Sequence, residues 1–184
     1  MEPNKMNTNK FFGGIMDEYY RLFAPYKYKQ IKLVEIGTFN NGFLEWASDY
    51  FKNVTLFGID NSCRDKDKIE DKATLIQANQ NDTDRLKEIC NEYGKFDIII
   101  DDASHFVKET KNTFDIFWDH LSENGVYIIE DWGCGYWDNK GEHTRRNGIE
   151  KLVTDLMLRK KELGIKNFEI ILKEPSCSLA CFYK

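Results

Sequence analysis

The segment FDIIIDDASHF, residues 96–106, runs three consecutive isoleucines into two aspartates. An unbroken β-branched run of this kind describes a strand covered on both faces, as in a parallel sheet flanked by helices. Parallel neighbours need crossover connections, which are usually helical. The charge at the end of the run also needs a reason, because a carboxylate there must be solvated, paired or bound. Either Asp101 and Asp102 are loop residues, with Ser104 capping the next helix, or they belong to a metal or cofactor site at the carboxyl edge of the sheet.

The rest of the chain supplies the crossovers. Apolar residues at helical spacing run from Phe12 to Phe23, and Pro25 closes that helix. IKLVEIG (31–37) reads as a strand, FLEWASDYF (43–51) as a helix and VTLFGID (54–60) as a strand. ATLIQAN (73–79) follows as a strand and 82–93 as a helix, capped by Asn81 or Asp82. After FDIIIDD comes a helix with Phe106, Thr110, Phe114, Phe117 and Leu121 on one face, then the strand GVYIIED (125–131). This alternation predicts βαβ units, a doubly wound α/β sheet with helices on both faces. The end of the chain changes rhythm: a helix near 149–163 precedes two strands, 168–174 and 178–184, whose short Pro-Ser joint makes the last strand antiparallel.

With 184 residues and no repeat or linker, the sequence is expected to form a single domain over 1–184, with 1–9 flexible. A net charge of −5 without a basic stripe argues against a nucleic-acid partner. Neither a secretory segment nor an apolar run of membrane-spanning length is present, so the expectation is a cytoplasmic protein with no membrane partner. The five cysteines contain no CxxC pair, and core packing is the favoured reading for Cys177 and Cys181, which lie in a strand-like stretch.

Several strand ends carry chemistry. VEIGTFNNG is a strand, a turn and a helix start, where Gly37 and Gly42 would let the backbone approach a ligand; it is not the GxGxxG dinucleotide fingerprint. Asp60 ends the second strand about 20 residues beyond Gly37, where a carboxylate can accept ribose hydroxyls; a turn-forming aspartate is the competing reading. The amides of Asn79 and Gln80 would border the same crevice and could read an adenine edge. Asp101 and Asp102 end one strand, Glu130 and Asp131 the next, and like charges that close call for a cation. Oxygen ligands without thiolate suit Mg²⁺, Mn²⁺ or Ca²⁺ over zinc. His105, three residues past Asp102, would lie beside such a metal and could take a proton near neutral pH. The loop 132–148 is expected on the substrate side, with Trp132, Tyr136 and Trp137 as an aromatic wall and His143 overhanging the site; local packing of the loop is the alternative for the aromatics.

Taken in order, VEIGTFNNG, the acid ending the second strand, NQND, IIDDASH, GVYIIEDW and the closing hairpin resemble the class I S-adenosylmethionine-dependent methyltransferases. DDASH paired with YIIEDW and a following GYW is similar to the metal-dependent sugar O-methyltransferases of the mycinamicin and macrocin type. The placement of the acids, with a base three residues past the first, also resembles catechol O-methyltransferase, where that base is a lysine. The resemblance implies a Rossmann-like seven-stranded sheet of order 3-2-1-4-5-7-6. It implies metal ligands at Asp102, Glu130 and Asp131, a general base at His105, and cofactor contacts at Glu35, Gly37, Gly42, Asp60, Asn79, Gln80 and Asp101. The expected cofactors are S-adenosylmethionine and Mg²⁺ (or Mn²⁺). The expected activity is O-methylation of a small polyol, a sugar or glycosylated natural product, by an enzyme whose self-association is open. The alternatives are a non-catalytic nucleotide-binding protein or a different metal-dependent enzyme on the same fold.

Overall fold

The computed structural model describes Lys10 and residues 14–136, 148–174 and 177–184. Seven strands, β1 (Gln30–Ile36), β2 (Asn53–Asp60), β3 (Ala73–Gln77), β4 (Phe96–Asp101), β5 (Leu121–Glu130), β6 (Asn167–Glu174) and β7 (Cys177–Tyr183), form one sheet in the order β3-β2-β1-β4-β5-β7-β6. The first five are parallel where they pair, and β7 runs antiparallel to both β5 and β6. This is the order that the family resemblance implies, with the antiparallel closing strand that the short Pro-Ser joint predicts. The helices are α1 (Ile15–Phe23), α2 (Gly42–Tyr50), α3 (Thr83–Tyr93), α4 (Val107–Phe117) and α5 (Ile149–Leu158). Among the described residues, no helix is long and apolar enough to cross a membrane.

The isoleucine run is explained by the pleat. Side chains alternate between faces along a strand, so Ile99 joins the core beneath α3, α4 and α5, while Ile98 and Ile100 join the core beneath α1 and α2. All three isoleucines are fully buried. The α1 side is rich in rings: Tyr19 stacks on Phe23, with Phe43, Trp46 and Phe51 beside them. On the other side Phe114 stacks on Trp118 and meets Tyr127 and Phe182 edge-on. Four cysteines, Cys90, Cys134, Cys177 and Cys181, are buried in these two cores.

Element ends differ from the expectation where local turns win over periodicity. Leu121 does not continue the face of α4; it opens β5, pairing with Phe96 across an irregularity in the ladder. α5 stops at Leu158 instead of reaching residue 163. Ser104 does not cap α4, whose first residue is Val107; its hydroxyl instead accepts from the Phe106 amide at 3.3 Å, closing a turn within the loop. Asp82 does cap α3, accepting from the Arg85 amide.

The turn after β1 fixes the sheet edge. Gly37 sits at φ 90°, and a Cβ there would fall 2.3 Å from the Asp102 carbonyl oxygen and 2.5 Å from the Ala103 Cα. The Gly37 amide donates to the Ile59 carbonyl and the Asp102 amide to the Ile36 carbonyl. Backbone crowding of this kind leaves a side chain nowhere to go. Gly37→Ala is therefore expected to lower unfolding stability by about 2–4 kcal/mol, combining overlap and left-handed strain, with a urea midpoint to match; an unchanged midpoint would show that the 102–103 loop yields freely.

Candidate active site

A cleft of about 400 Å³ opens beyond the carboxyl ends of β1, β2 and β4, lined by Gly37, Phe39, Asp60, Asn79, Gln80, Asp102 and Ser104 among others. Its position is the crevice where the direction of strand order reverses. Asp60 is the organiser of one wall. One carboxylate oxygen accepts from the Thr38 and Phe39 amides, each at 3.1 Å, and the other from the Ser62 amide and hydroxyl at 2.9 Å. It thus does the turn-forming work while also facing the cleft. Gly42 is the first, buried residue of α2. The Thr38 hydroxyl and the Asn41 side-chain oxygen are buried beside this turn with no hydrogen-bond partner among the described residues.

The amides expected to border the cleft are partly committed to the protein. Gln80 donates from Nε2 to Asp101 at 2.8 Å and accepts at Oε1 from the Ser104 amide at 3.1 Å. The Asn79 oxygen accepts from the Asn81 amide. Asp101 itself lies behind the cleft, under α4, where Thr113, Tyr127 and Gln80 all donate to it. Burial pushes its carboxyl up to about 7, against the pull of the Thr113 and Tyr127 bonds. Its role in the structure is to hold Gln80, and through Gln80 the 102–105 loop.

The acids at the ends of β4 and β5 separate into two groups that share Asp102. Oxygen atoms of Asp102 and Asp131 and a ring nitrogen of His105 lie within 4.8 Å of one another. His105 Nε2 is 3.8 Å from Asp102 Oδ1. His105 and Asp131 both adopt positive φ, 56° and 52°, a conformation uncommon outside glycine and often found at functional sites. Asp131 is anchored by β7, its amide donating to the Ser178 carbonyl while the Ser178 hydroxyl accepts from Gly133.

Glu130 points the other way, into the face beneath α1. It accepts from the Tyr19 hydroxyl and, at 2.5 Å, from the Lys10 ammonium, which also binds Asp102 Oδ2 and stands 3.4 Å from Glu35. Burial lifts Glu35 to about 8 and, together with Asp102, lifts Glu130 to about 7; Lys10 opposes both shifts. Burial disfavours the ammonium, but the three carboxylates more than offset it and raise its pKa. Trp132 is packed into the core beneath α5, which is the local-packing alternative of the sequence reading. The side chain of Tyr136, and the residues Trp137 and His143, lie outside what the structure describes.

Comparison with known proteins bears on the fold and the family. No family model matches the sequence. The chain is 32% identical over 139 residues to the mycinamicin VI 2''-O-methyltransferase of Micromonospora griseorubida, covering 71% of this chain and 34% of that protein. It is 31% identical over 131 residues to the demethylmacrocin O-methyltransferase of Streptomyces fradiae, covering 67% and 33%. Among solved structures, MycE methyltransferase in complex with Mg, SAH and mycinamycin VI superposes with a TM-score of 0.76 at 26% identity, over 95% of this chain and 51% of that one. The chain is a homologue of the macrolide-sugar O-methyltransferases on a class I methyltransferase fold. It spans about a third of the length of the curated relatives it matches. An O-methyltransferase from Bacillus cereus in complex with SAH shares the fold alone, with a TM-score of 0.69 at 16% identity.

For this homologue the three raised carboxyls carry a pH signature. A carboxyl whose folded pKa lies above its unfolded value of about 4 stabilises the fold fully below that value and loses the contribution as pH rises through the folded pKa. Asp101, Glu35 and Glu130 all act in that direction. In chelator, unfolding free energy is expected to fall between about pH 5 and pH 8, with a limiting slope of about 1 kcal/mol per pH unit for each group. Urea denaturation at the two pH values checks this; equal or higher stability at pH 8 contradicts it.

Proposed function

We propose that this chain is an S-adenosylmethionine- and divalent-cation-dependent O-methyltransferase domain acting on a hydroxyl of a sugar, as carried by a glycosylated natural product. The observation that carries the reading is Asp102, which lines the cleft and also belongs to the Asp102–His105–Asp131 group. A methyl donor and an acceptor held at one shared residue are in reach of each other.

The residues fit both groups. Thr38 Oγ1 and Asn41 Oδ1 are buried polar atoms awaiting partners beside a turn that admits no side chain at Gly37, as a cofactor's polar end requires. The metal group offers two carboxylates, hard oxygen donors suited to Mg²⁺ or Mn²⁺, with the His105 imidazole beside them. Asp102 and Asp131 would hold the cation, with Glu130, the third expected ligand, reached from the other side of Asp102. When bound, the cation supplies Lewis-acid polarisation of an acceptor oxygen and adenosylmethionine supplies the sulfonium methyl.

The chain's own residues do the rest. His105 accepts the hydroxyl proton at Nε2, and Asp102 Oδ1, 3.8 Å away, stabilises the resulting imidazolium. Asp60 holds the turn at Thr38 and Phe39 and presents its carboxylate to a ribose. Gln80, fixed by Asp101, keeps the 102–105 loop in register with the cleft. Orientation of two bound partners then contributes a large share of the rate.

Labelled methyl transfer from adenosylmethionine to a panel of glycosylated macrolides, in Mg²⁺ and after EDTA, tests the reading. Transfer to a sugar hydroxyl that chelation abolishes is the expected result; transfer insensitive to chelation contradicts the metal role. His105→Ala should lower kcat by about 10²–10⁴-fold with adenosylhomocysteine affinity retained. Stabilisation by adenosylhomocysteine without transfer to any acceptor would favour a non-catalytic binding protein.

A further inference from the structure

Lys10 has no part in the methyl-transfer chemistry above, yet its ammonium is 4% exposed and sits inside the carboxylate cluster. It binds Asp102 Oδ2 and Glu130 Oε1, approaches Glu35, and lies 5.3 Å from the centre of the Phe43 ring. We propose that Lys10 is an exchangeable internal counter-cation, so that seating of its ammonium and seating of a divalent cation at Asp102 exclude one another. The inference rests on the metal reading of the same site.

Two facts make the exclusion follow. Asp102 is shared: its Oδ1 faces His105 and its Oδ2 is held by Lys10. A divalent cation drawn to the Asp102–His105–Asp131 group would stand close to a buried ammonium, where low dielectric makes like-charge repulsion strong. Glu130, adjacent to Asp131, is engaged at Oε1 by Lys10 and Tyr19, so a cation drawn to it would stand beside the ammonium. Lys10 answers Asp102 and Glu130 with a single positive charge, so a doubly charged cation has reason to displace it. Lys10 lies 92 and 120 residues from these partners in sequence, so its release frees the ammonium from the sheet edge.

Mn²⁺ binding, read by the electron paramagnetic resonance signal of free Mn²⁺, compares the wild type with Lys10→Met and Lys10→Arg. Removing the competing charge is expected to tighten Mn²⁺ binding about tenfold or more in Lys10→Met, with Lys10→Arg staying near wild type. Equal or weaker binding by Lys10→Met overturns the proposal while leaving the metal-dependent function intact. No binding by any of the three proteins overturns both. Since an uncompensated cluster can impair folding of Lys10→Met, a second measurement uses the wild type alone. Trypsin cleavage after Lys10, followed by mass spectrometry, should accelerate several-fold on adding Mn²⁺, relative to cleavage at the exposed Lys68; unchanged or slower cleavage overturns the proposal.

Discussion

Carboxylates at the edge of a sheet buried on both faces cannot stand alone, and the arrangement of this site follows from the company each one keeps. Desolvation acts on Glu35, Asp101 and Glu130 alike, and it is the largest influence on all three. The answers differ. Asp60 is bound by backbone amides and Ser62, Asp101 by three side-chain donors, Glu130 by Lys10 and Tyr19. Asp102 and Asp131 share the group with His105 and suit a cation. A carboxylate fully supplied with donors has little left to offer a metal, whereas one facing another carboxylate has a charge to shed.

Which acid receives which answer is decided by the pleat. Residues two apart share a face, so Glu35 continues the series of Ile31 and Leu33, and Glu130 that of Val126 and Ile128, all toward α1. Asp101 continues Ile99 toward α4. A strand-end dipeptide such as Asp101-Asp102 or Glu130-Asp131 therefore sends its two acids to different environments, however alike they look in the sequence.

That parity was available before any coordinates, and it marks the boundary of what the sequence makes legible. The βαβ alternation, the antiparallel closing strand and the clustering of acids at one edge follow from hydrophobic rhythm and motif, because each depends on many residues at once, while the strand order follows from the family resemblance. The partners of the buried acids do not. Lys10 comes from a polar stretch with no pattern, Tyr19 reads as one apolar position on α1, and Thr113, Tyr127 and Ser178 are single polar atoms inside apolar runs. Their signal is a hydroxyl or ammonium at a core position, which acquires meaning only when a distant carboxylate is brought opposite. Trp132, readable from the sequence either as a wall of the site or as local packing of the loop, is taken by the core, since the backbone turns at Asp131 and is pinned there by Ser178.

Asp102 ties the two halves of the site together mechanically as well as chemically. Its amide is bonded to Ile36, its carbonyl lies where any side chain on Gly37 would have to be, and its carboxylate is divided between the His105 side and the Lys10 side. The β1 turn and the backbone of Asp102 are thus in close-packed contact, which leaves either little room to shift without the other. Coupling through such contacts would be reciprocal in free energy: were the cleft and the cation group both filled as proposed, each would bias the other through a residue that contributes to both.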